Sequence, residues 1–302
     1  MSSSAPTPVR VSIVVPCYNG GRFLPALFRS LDEQVFRSFD VTIVDDGSTD
    51  PETLERLAGL PAEIRVVRQP NKGLPAARNA GIAASGGPLV LPLDCDDTLE
   101  PSFLERTVAA LDTAGERAQF AFTDIRVNGA HSGVVETRFA PFGQLFTNRM
   151  PYCLLMRREV FTEIGGYDEG MRQGYEDWEF NLRLLKAGAQ GVHVREPLFN
   201  YFASRTGMLL NGTVKRHGQI WSAMRTLHPD LYAPASLRER ARRQFPIVWP
   251  PVFLAGAGIL LAARVLPYSA QNACANVYVR LKHWGRSSSS HLRRMRVRSH
   301  AV

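Results

Sequence analysis

In the first third of the chain, short apolar runs alternate with stretches of helical spacing. Val11-Ser12-Ile13-Val14-Val15-Pro16 reads as a buried strand, and Phe23, Leu27 and Leu31 then recur four apart, one face of an amphipathic helix. Val41-Thr42-Ile43-Val44 forms a second strand, and Thr49-Asp50-Pro51 opens the next helix with proline at its first position. Ile64-Arg65-Val66-Val67 gives a third strand, Leu74 to Ala84 a helix of small residues, and Leu89 to Leu93 a fourth strand. Uniformly apolar strands of this kind belong to a parallel sheet covered on both faces. After a helix from Pro101 to about Thr113 the alternation breaks. Gln119 to Val127 and Val134 to Phe139 alternate like hairpin arms around Asn128-Gly129-Ala130-His131-Ser132-Gly133. From Trp178, Leu182 and Leu185 follow at i+4 and i+7, so a further helix begins near Glu176.

Strand and helix alternating over short connections predict an α/β fold, a Rossmann-like, mostly parallel central sheet with flanking helices. The first strand leads into Cys17-Tyr18-Asn19-Gly20-Gly21, which is neither a dinucleotide fingerprint nor a phosphate-binding lysine loop. Phosphate must be held another way. The fourth strand runs into Asp94-Cys95-Asp96-Asp97, three carboxylates within four positions at the sheet edge where open α/β folds bind ligands. Two like charges about 4 Å apart repel by roughly 4 kcal/mol at an effective dielectric near 20, so the cluster needs a cation or strong solvation. An oxygen donor set favours Mg²⁺ or Mn²⁺, held by one or two carboxylates and substrate phosphates. An exposed acidic turn leading into the helix near Pro101 reads the same, and that alternative stays open. Asp177 falls in the first turn of its helix. Free amides and the helix dipole there favour the ion, whereas neighbouring Trp178 favours the neutral acid, which together suit a proton acceptor; a plain helix-start acid is the commoner reading of such a pair and stays open.

These stretches resemble the family 2 inverting glycosyltransferases of the GT-A fold. The matching segments are Val11 to Asn19, Ile43-Val44-Asp45-Asp46-Gly47-Ser48-Thr49-Asp50, Asn71 to Gly81, Leu93 to Asp97, and Gly165-Gly166-Tyr167-Asp168-Glu169 leading to Gly174-Tyr175-Glu176-Asp177, in the family's order over residues 10–202. The resemblance implies transfer of a sugar from a nucleotide-diphospho-sugar donor, most often UDP-linked, with inversion at the anomeric carbon. It implies that Pro16 and Tyr18 line the base pocket, Asp46 accepts the uracil N3 hydrogen, and Asn71 and Arg78 contact the nucleotide, Arg78 as a cation near the phosphates. Asp94 would face the ribose or the metal, Asp96 would ligate Mn²⁺ or Mg²⁺, Asp177 would act as base, and Glu176 would orient the acceptor. A histidine past the base is a metal ligand in some relatives, which makes His193 a candidate; a satisfied strand histidine is the commoner reading.

Composition adds a second theme. The chain carries a net charge of +8, and all of the excess lies beyond residue 263, where eight basic residues occur without an acid. Pro246 to Ala263 carries no charge over eighteen positions, but it is short for a span and begins with Pro246, Pro250 and Pro251. The pattern predicts a disordered start (1–9), a catalytic domain (10–235) and an apolar, basic extension (236–302) that lies on an anionic membrane surface. Four cysteines without paired spacing, and no secretory signal ahead of Arg10, are those of a cytoplasmic protein, peripheral at the inner face of the membrane. Nucleic acid is not an expected partner. The expected acceptor is a surface glycan or lipid-linked sugar, and the alternatives are a nucleotide-sugar-binding scaffold and a nucleotidyltransferase.

Overall fold

The computed structural model describes residues 9–204 and 212–277. The expected disordered start and the most basic part of the tail, from Arg280 onward, lie outside the described residues.

The chain opens as its pattern predicts. β1 (Val11–Cys17), α1 (Leu24–Asp32), β2 (Phe39–Asp45), α2 (Pro51–Ala58), β3 (Arg65–Arg68), α3 (Leu74–Ala84) and β4 (Leu89–Pro92) follow in turn. β3-β2-β1-β4 is a wholly parallel half-sheet. Two layers cover it. Ile13, Val15, Ile43, Leu89 and Leu91 face the cluster that contains α1 and Phe103, while Val14, Val44 and Val90 face Ala77 and Ile82 of α3. The alternation of a buried strand thus supplies both cores. α2 is capped as the sequence predicts: the Asp50 carboxylate accepts from the Thr53 amide at 2.9 Å, ahead of Pro51.

Beyond β4 the sheet becomes mixed. β5 (Thr98–Leu99) and α4 (Phe103–Ala114) lead to β6 (Phe120–Gly129), which pairs antiparallel with β7 (Gly133–Val135) as the expected hairpin, though its second arm ends at Val135. β8 (Leu155–Arg157) joins the two halves, antiparallel to both β4 and β6. α5 (Arg158–Glu163) and α6 (Glu176–Lys186) precede β9 (Gly191–Ala203), which lies parallel to β6 and beside β5.

The C-terminal helices α7 (His217–Leu227), α8 (Pro234–Gln244) and α9 (Trp249–Val265) pack on the body. Trp221, Met224, Leu237, Ala241 and Ala263 share a buried cluster with Trp178, Leu182 and Leu185 of α6 and with Leu145. The boundary expected at 235/236 therefore falls in the first turn of α8, a helix that packs with the catalytic body. Among the described residues, no helix is long and apolar enough to cross a membrane.

Candidate active site

Four parallel strands place four loops along one sheet edge. The ladder ends where β1 and β2 pair Cys17 with Asp45 and where β3 pairs Arg68 with Asp45. Tyr18, Asp46, Asn71 and Asp94 thus follow strands that end together. Pro16 is buried at the end of β1, Tyr18 is 52% exposed beside it, and Asn71 is exposed. Asp46 is 3% exposed, and it orders its neighbour loop. One carboxylate oxygen accepts from Gln69 Nε2 at 2.7 Å and the Lys72 amide at 2.8 Å, the other from the Gly73 amide at 2.8 Å. Gly47 has φ +76, and a Cβ there would sit 2.7 Å from the Asn71 amide nitrogen, so the turns after β2 and β3 can approach only through a glycine. Asn19, for which the sequence suggested no role, ties the first turn to the second: its Oδ1 accepts from the amides of Thr49 (2.8 Å) and Asp50 (2.9 Å).

The acidic turn after β4 is built around two groups that the sequence reading left without a role. Asp97 is 1% exposed; it accepts from the Tyr152 hydroxyl and from the Phe202 amide at 2.7 Å. That same hydroxyl accepts from the Asp94 amide at 2.9 Å. Burial, then the charges of Asp96 and Asp94, hold the Asp97 carboxyl well above its usual range. Asp96 is pushed up to about 6 by burial and by Asp94.

Arg78 stands elsewhere than a free phosphate contact would. It is 1% exposed on α3, with one terminal nitrogen on both Asp94 oxygens (2.8 and 3.0 Å) and the other 3.0 Å from Glu176 Oε1. Its guanidinium lies over the rings of Tyr152 (4.7 Å) and Tyr167 (5.2 Å). The reason is the small-residue face of α3, which sinks this helix against the sheet and carries Arg78 beneath the acids. Burial works against its charge, yet Asp94 foremost, with Tyr167 and Glu176, holds the guanidinium well above its ordinary value. Arg78 therefore spans the two acidic clusters, and Asp94 and Glu176 share one cation.

Asp177 lies next to that bridge. Gly174 (φ +107) and Tyr175, in the left-handed region at φ 60, turn the chain into α6, whose first turn carries Glu176, Asp177 and Glu179. Tyr175 is held there by His217, whose Nδ1 is 3.1 Å from its hydroxyl, and by edge contact with Trp178. Asp177 accepts from Asn148 Nδ2 at 2.7 Å and from the Trp178 amide at 2.8 Å. Asn148 is oriented for this: its Oδ1 accepts from Gln144 Nε2 (2.8 Å) and Asn181 Nδ2 (3.2 Å), which leaves its amide donor toward Asp177. Burial, then the Glu176 charge, pushes Asp177 up to about 7 against the pull of Arg78 and the Trp178 amide.

His193 is elsewhere. Its Nε2 lies 2.9 Å from Asp124 and 3.3 Å from the Thr137 hydroxyl, and its ring stacks on Phe122 at 4.7 Å. It is a satisfied strand histidine. Among the described residues no group of three or more His, Cys, Asp and Glu is arranged to hold a metal. Asp94 and Asp96 carry hard oxygen donors, and a cation such as Mg²⁺, which is commonly held by one or two carboxylates and substrate phosphates, would need the rest of its shell from a bound diphosphate.

Comparison with known proteins bears on the fold and the family. The chain is 26% identical over 237 residues to the amylovoran biosynthesis glycosyltransferase AmsB of Erwinia amylovora, covering 70% of this chain and 76% of that one. It spans from 30% to 76% of the first three curated relatives it matches. S. aureus TarS (residues 1–349) in complex with UDP-GlcNAc superposes with a TM-score of 0.58 at 17% identity, covering 91% of this chain and 93% of that one. Mannosyltransferase PcManGT from Pyrobaculum calidifontis, in complex with GDP-Man and Mn²⁺, superposes with a TM-score of 0.55 at 17% identity, covering 90% and 81%. Both likenesses are of fold, the GT-A type. The family model for glycosyl transferase family 2 matches residues 12–174, more than half of the chain, and the protein belongs to that family of glycosyltransferases.

Proposed function

We propose that the protein is a metal-dependent, inverting transferase that moves a sugar from a UDP-sugar to a hydroxyl of a surface-glycan or lipid-linked acceptor. The observation that carries this reading is the Arg78 bridge, which puts the Asp94–Asp96 turn and the Glu176–Asp177 helix start on one buried guanidinium. Donor activation and acceptor deprotonation then belong to one site. UDP-GlcNAc in TarS and GDP-Man with Mn²⁺ in PcManGT, both of the same fold, support the donor class and the cation.

In this reading Tyr18 offers an exposed aromatic face to the base. Asp46 holds the loop that carries Asn71 and accepts from the base with its remaining lone pairs. Asp94 and Asp96 would hold Mn²⁺ or Mg²⁺, and the bound cation would neutralise charge on the departing diphosphate. Arg78 orients Asp94 from behind through both of its carboxylate oxygens. Asp177, held by Asn148, takes the proton from the acceptor hydroxyl as that oxygen attacks the anomeric carbon, and Glu176 fixes the acceptor side of the pocket. A single displacement with one base inverts the anomeric centre.

The protein acts, we propose further, on the inner face of a membrane, to which α9 attaches it. Leu254, Leu261 and Val265 of that helix are 66%, 64% and 75% exposed, and Ile247 just before it is 90% exposed. The deciding assay incubates the protein with a panel of UDP-sugars, Mn²⁺ and a membrane extract as acceptor source, with Asp96→Ala and Asp177→Asn alongside. Transfer that Asp177→Asn performs as fast as the parent would remove the base assignment, and pyrophosphate release in place of UDP would indicate nucleotidyl transfer.

A further inference from the structure

A surface cavity of about 580 Å³ lies away from the Arg78 bridge, between α7 and the end of α9. Its polar lining is Ser222, Arg225 and Thr226 from α7 with Arg264, Tyr268 and Gln271 from the α9 end and the helical backbone at 268–277. It contains two guanidiniums and no carboxylate. Arg225 lies over the Trp221 ring at 4.6 Å, and its Nε is buried without a hydrogen-bond partner. Burial, with the Arg264 charge adding to it, holds the Arg225 guanidinium below its ordinary value. Neutralising the helix terminus does not account for the two arginines. Gln271 already serves the free carbonyls there, its Nε2 donating to Ala263 (3.0 Å) and Leu266 (2.9 Å).

A half-buried guanidinium with an orphaned donor and an exposed one, both lining one cavity without a carboxylate, call for an anion. The planar fork of arginine suits a phosphate, and the hydroxyls of Ser222 and Tyr268 add donors. The rim says which kind. Val265 and Leu266 line the cavity and are 75% and 43% exposed, continuous along α9 with exposed Leu261 and Leu254. A free phosphate has no use for such a border, whereas a lipid would lay its chains along it. We infer that the cavity between α7 and α9 binds the phosphate headgroup of an anionic membrane lipid, with the exposed leucines and valine of α9 against its acyl chains. This inference rests on the membrane attachment proposed above and gives it a specific ligand.

The test is co-sedimentation of the full chain with vesicles of phosphatidylcholine, with and without phosphatidylglycerol. Arg225→Gln/Arg264→Gln is compared with Arg238→Gln/Arg242→Gln, which removes the same charge from the exposed face of α8. The cavity pair is expected to weaken binding to anionic vesicles by about 30-fold, from the contribution of two basic residues near a charged surface, and the α8 pair by less than about fivefold. Thermal stability and the thermal shift with UDP and Mn²⁺ should stay as in the parent, which excludes misfolding. Equal losses in both pairs would mean diffuse attraction and would overturn the site. Stabilisation by inorganic phosphate that depends on Arg225 and Arg264, without recruitment to anionic vesicles, would overturn the lipid assignment in favour of a soluble phosphate. Leu254→Ser/Leu261→Ser separates the underlying reading, because it should lower binding to both vesicle types. Binding to neutral vesicles that phosphatidylglycerol does not enhance would sink the headgroup site while the membrane attachment stands.

Discussion

Asp177 combines two opposing demands. As a base it must be ionised, yet its surroundings bury it beside Glu176 and push it up to about 7. Because the folded-state value is raised, the ionised form costs stability. That cost is absent below the ordinary carboxylate range, grows as pH rises toward about 7, and is full above it. The transfer rate should therefore climb through about pH 7 on its acid limb, in a kcat/KM profile taken at saturating Mn²⁺. Asp177→Asn should lose about 10² to 10⁴ in kcat, with no limb left to titrate. Asn148→Ala should move the acid limb upward, since its amide donates more strongly to the ionised carboxylate than to the neutral acid. An unmoved limb would mean that Asn148 merely packs. Asp177 was legible in the sequence as a candidate because helix starts advertise their acids. Asn148, Tyr152 and the function of Asp97 were not, since each depends on a partner more than 25 residues away in an irregular stretch, where no period or spacing rule operates. Arg78 was visible as a candidate, but its burial was not: a charge on a small-residue helix looks like a surface cation until the sheet beneath it is placed.

At the scale of elements, α3 does the most. It covers β1 and β2 and delivers Arg78 to the acids. Its approach depends on Gly81, where a Cβ would overlap Val14 Cγ1 and lie 2.8 Å from Val44 Cγ2. Gly81→Ala adds helix propensity but overpacks this contact, and the packing loss is the larger effect. The expected net destabilisation is about 1–3 kcal/mol, read as a lower urea midpoint at unchanged m-value. A stabilised variant would mean that the helix can lift from the sheet without cost. β1, β2, β4 and α3 were legible because burial on both faces forces continuous apolar runs. The same rule explains the elements that were missed. β5 and β8 have two and three residues, too few for any period, and β9 mixes exposed and half-buried positions along thirteen residues because one of its faces is only partly covered.

The molecule as a whole joins a parallel half, read almost entirely from local pattern, to a mixed half assembled from distant pieces. The C-terminal helices belong to the second. Trp221 Nε1 and the Tyr232 hydroxyl donate to the Leu145 carbonyl, and Trp178 Nε1 donates to that of Gln144, so α6, α7 and the segment before α8 grip the same short loop beside Asn148. The sequence reading separated a catalytic body from its extension because a change in composition is visible along the chain and a shared core is not. A donor nucleotide bound at the sheet edge should stabilise the whole assembly, since ligand bound only by the folded state adds RT ln(1 + [L]/Kd). At a hundredfold excess over Kd this is about 2.7 kcal/mol, or roughly 4 °C in Tm for a chain of this size. UDP alone should raise Tm modestly through Tyr18, Asp46 and Asn71, and Mn²⁺ should add a second increment. Asp96→Ala should abolish the Mn²⁺ increment while keeping the first; Asp46→Ala should lose both, because its three donors hold the loop that meets the base. If Mn²⁺ stabilised the Asp96→Ala variant with UDP as fully as the parent, the cation would be bound elsewhere, and the paired acids after β4 would have to be explained by the Arg78 bridge alone.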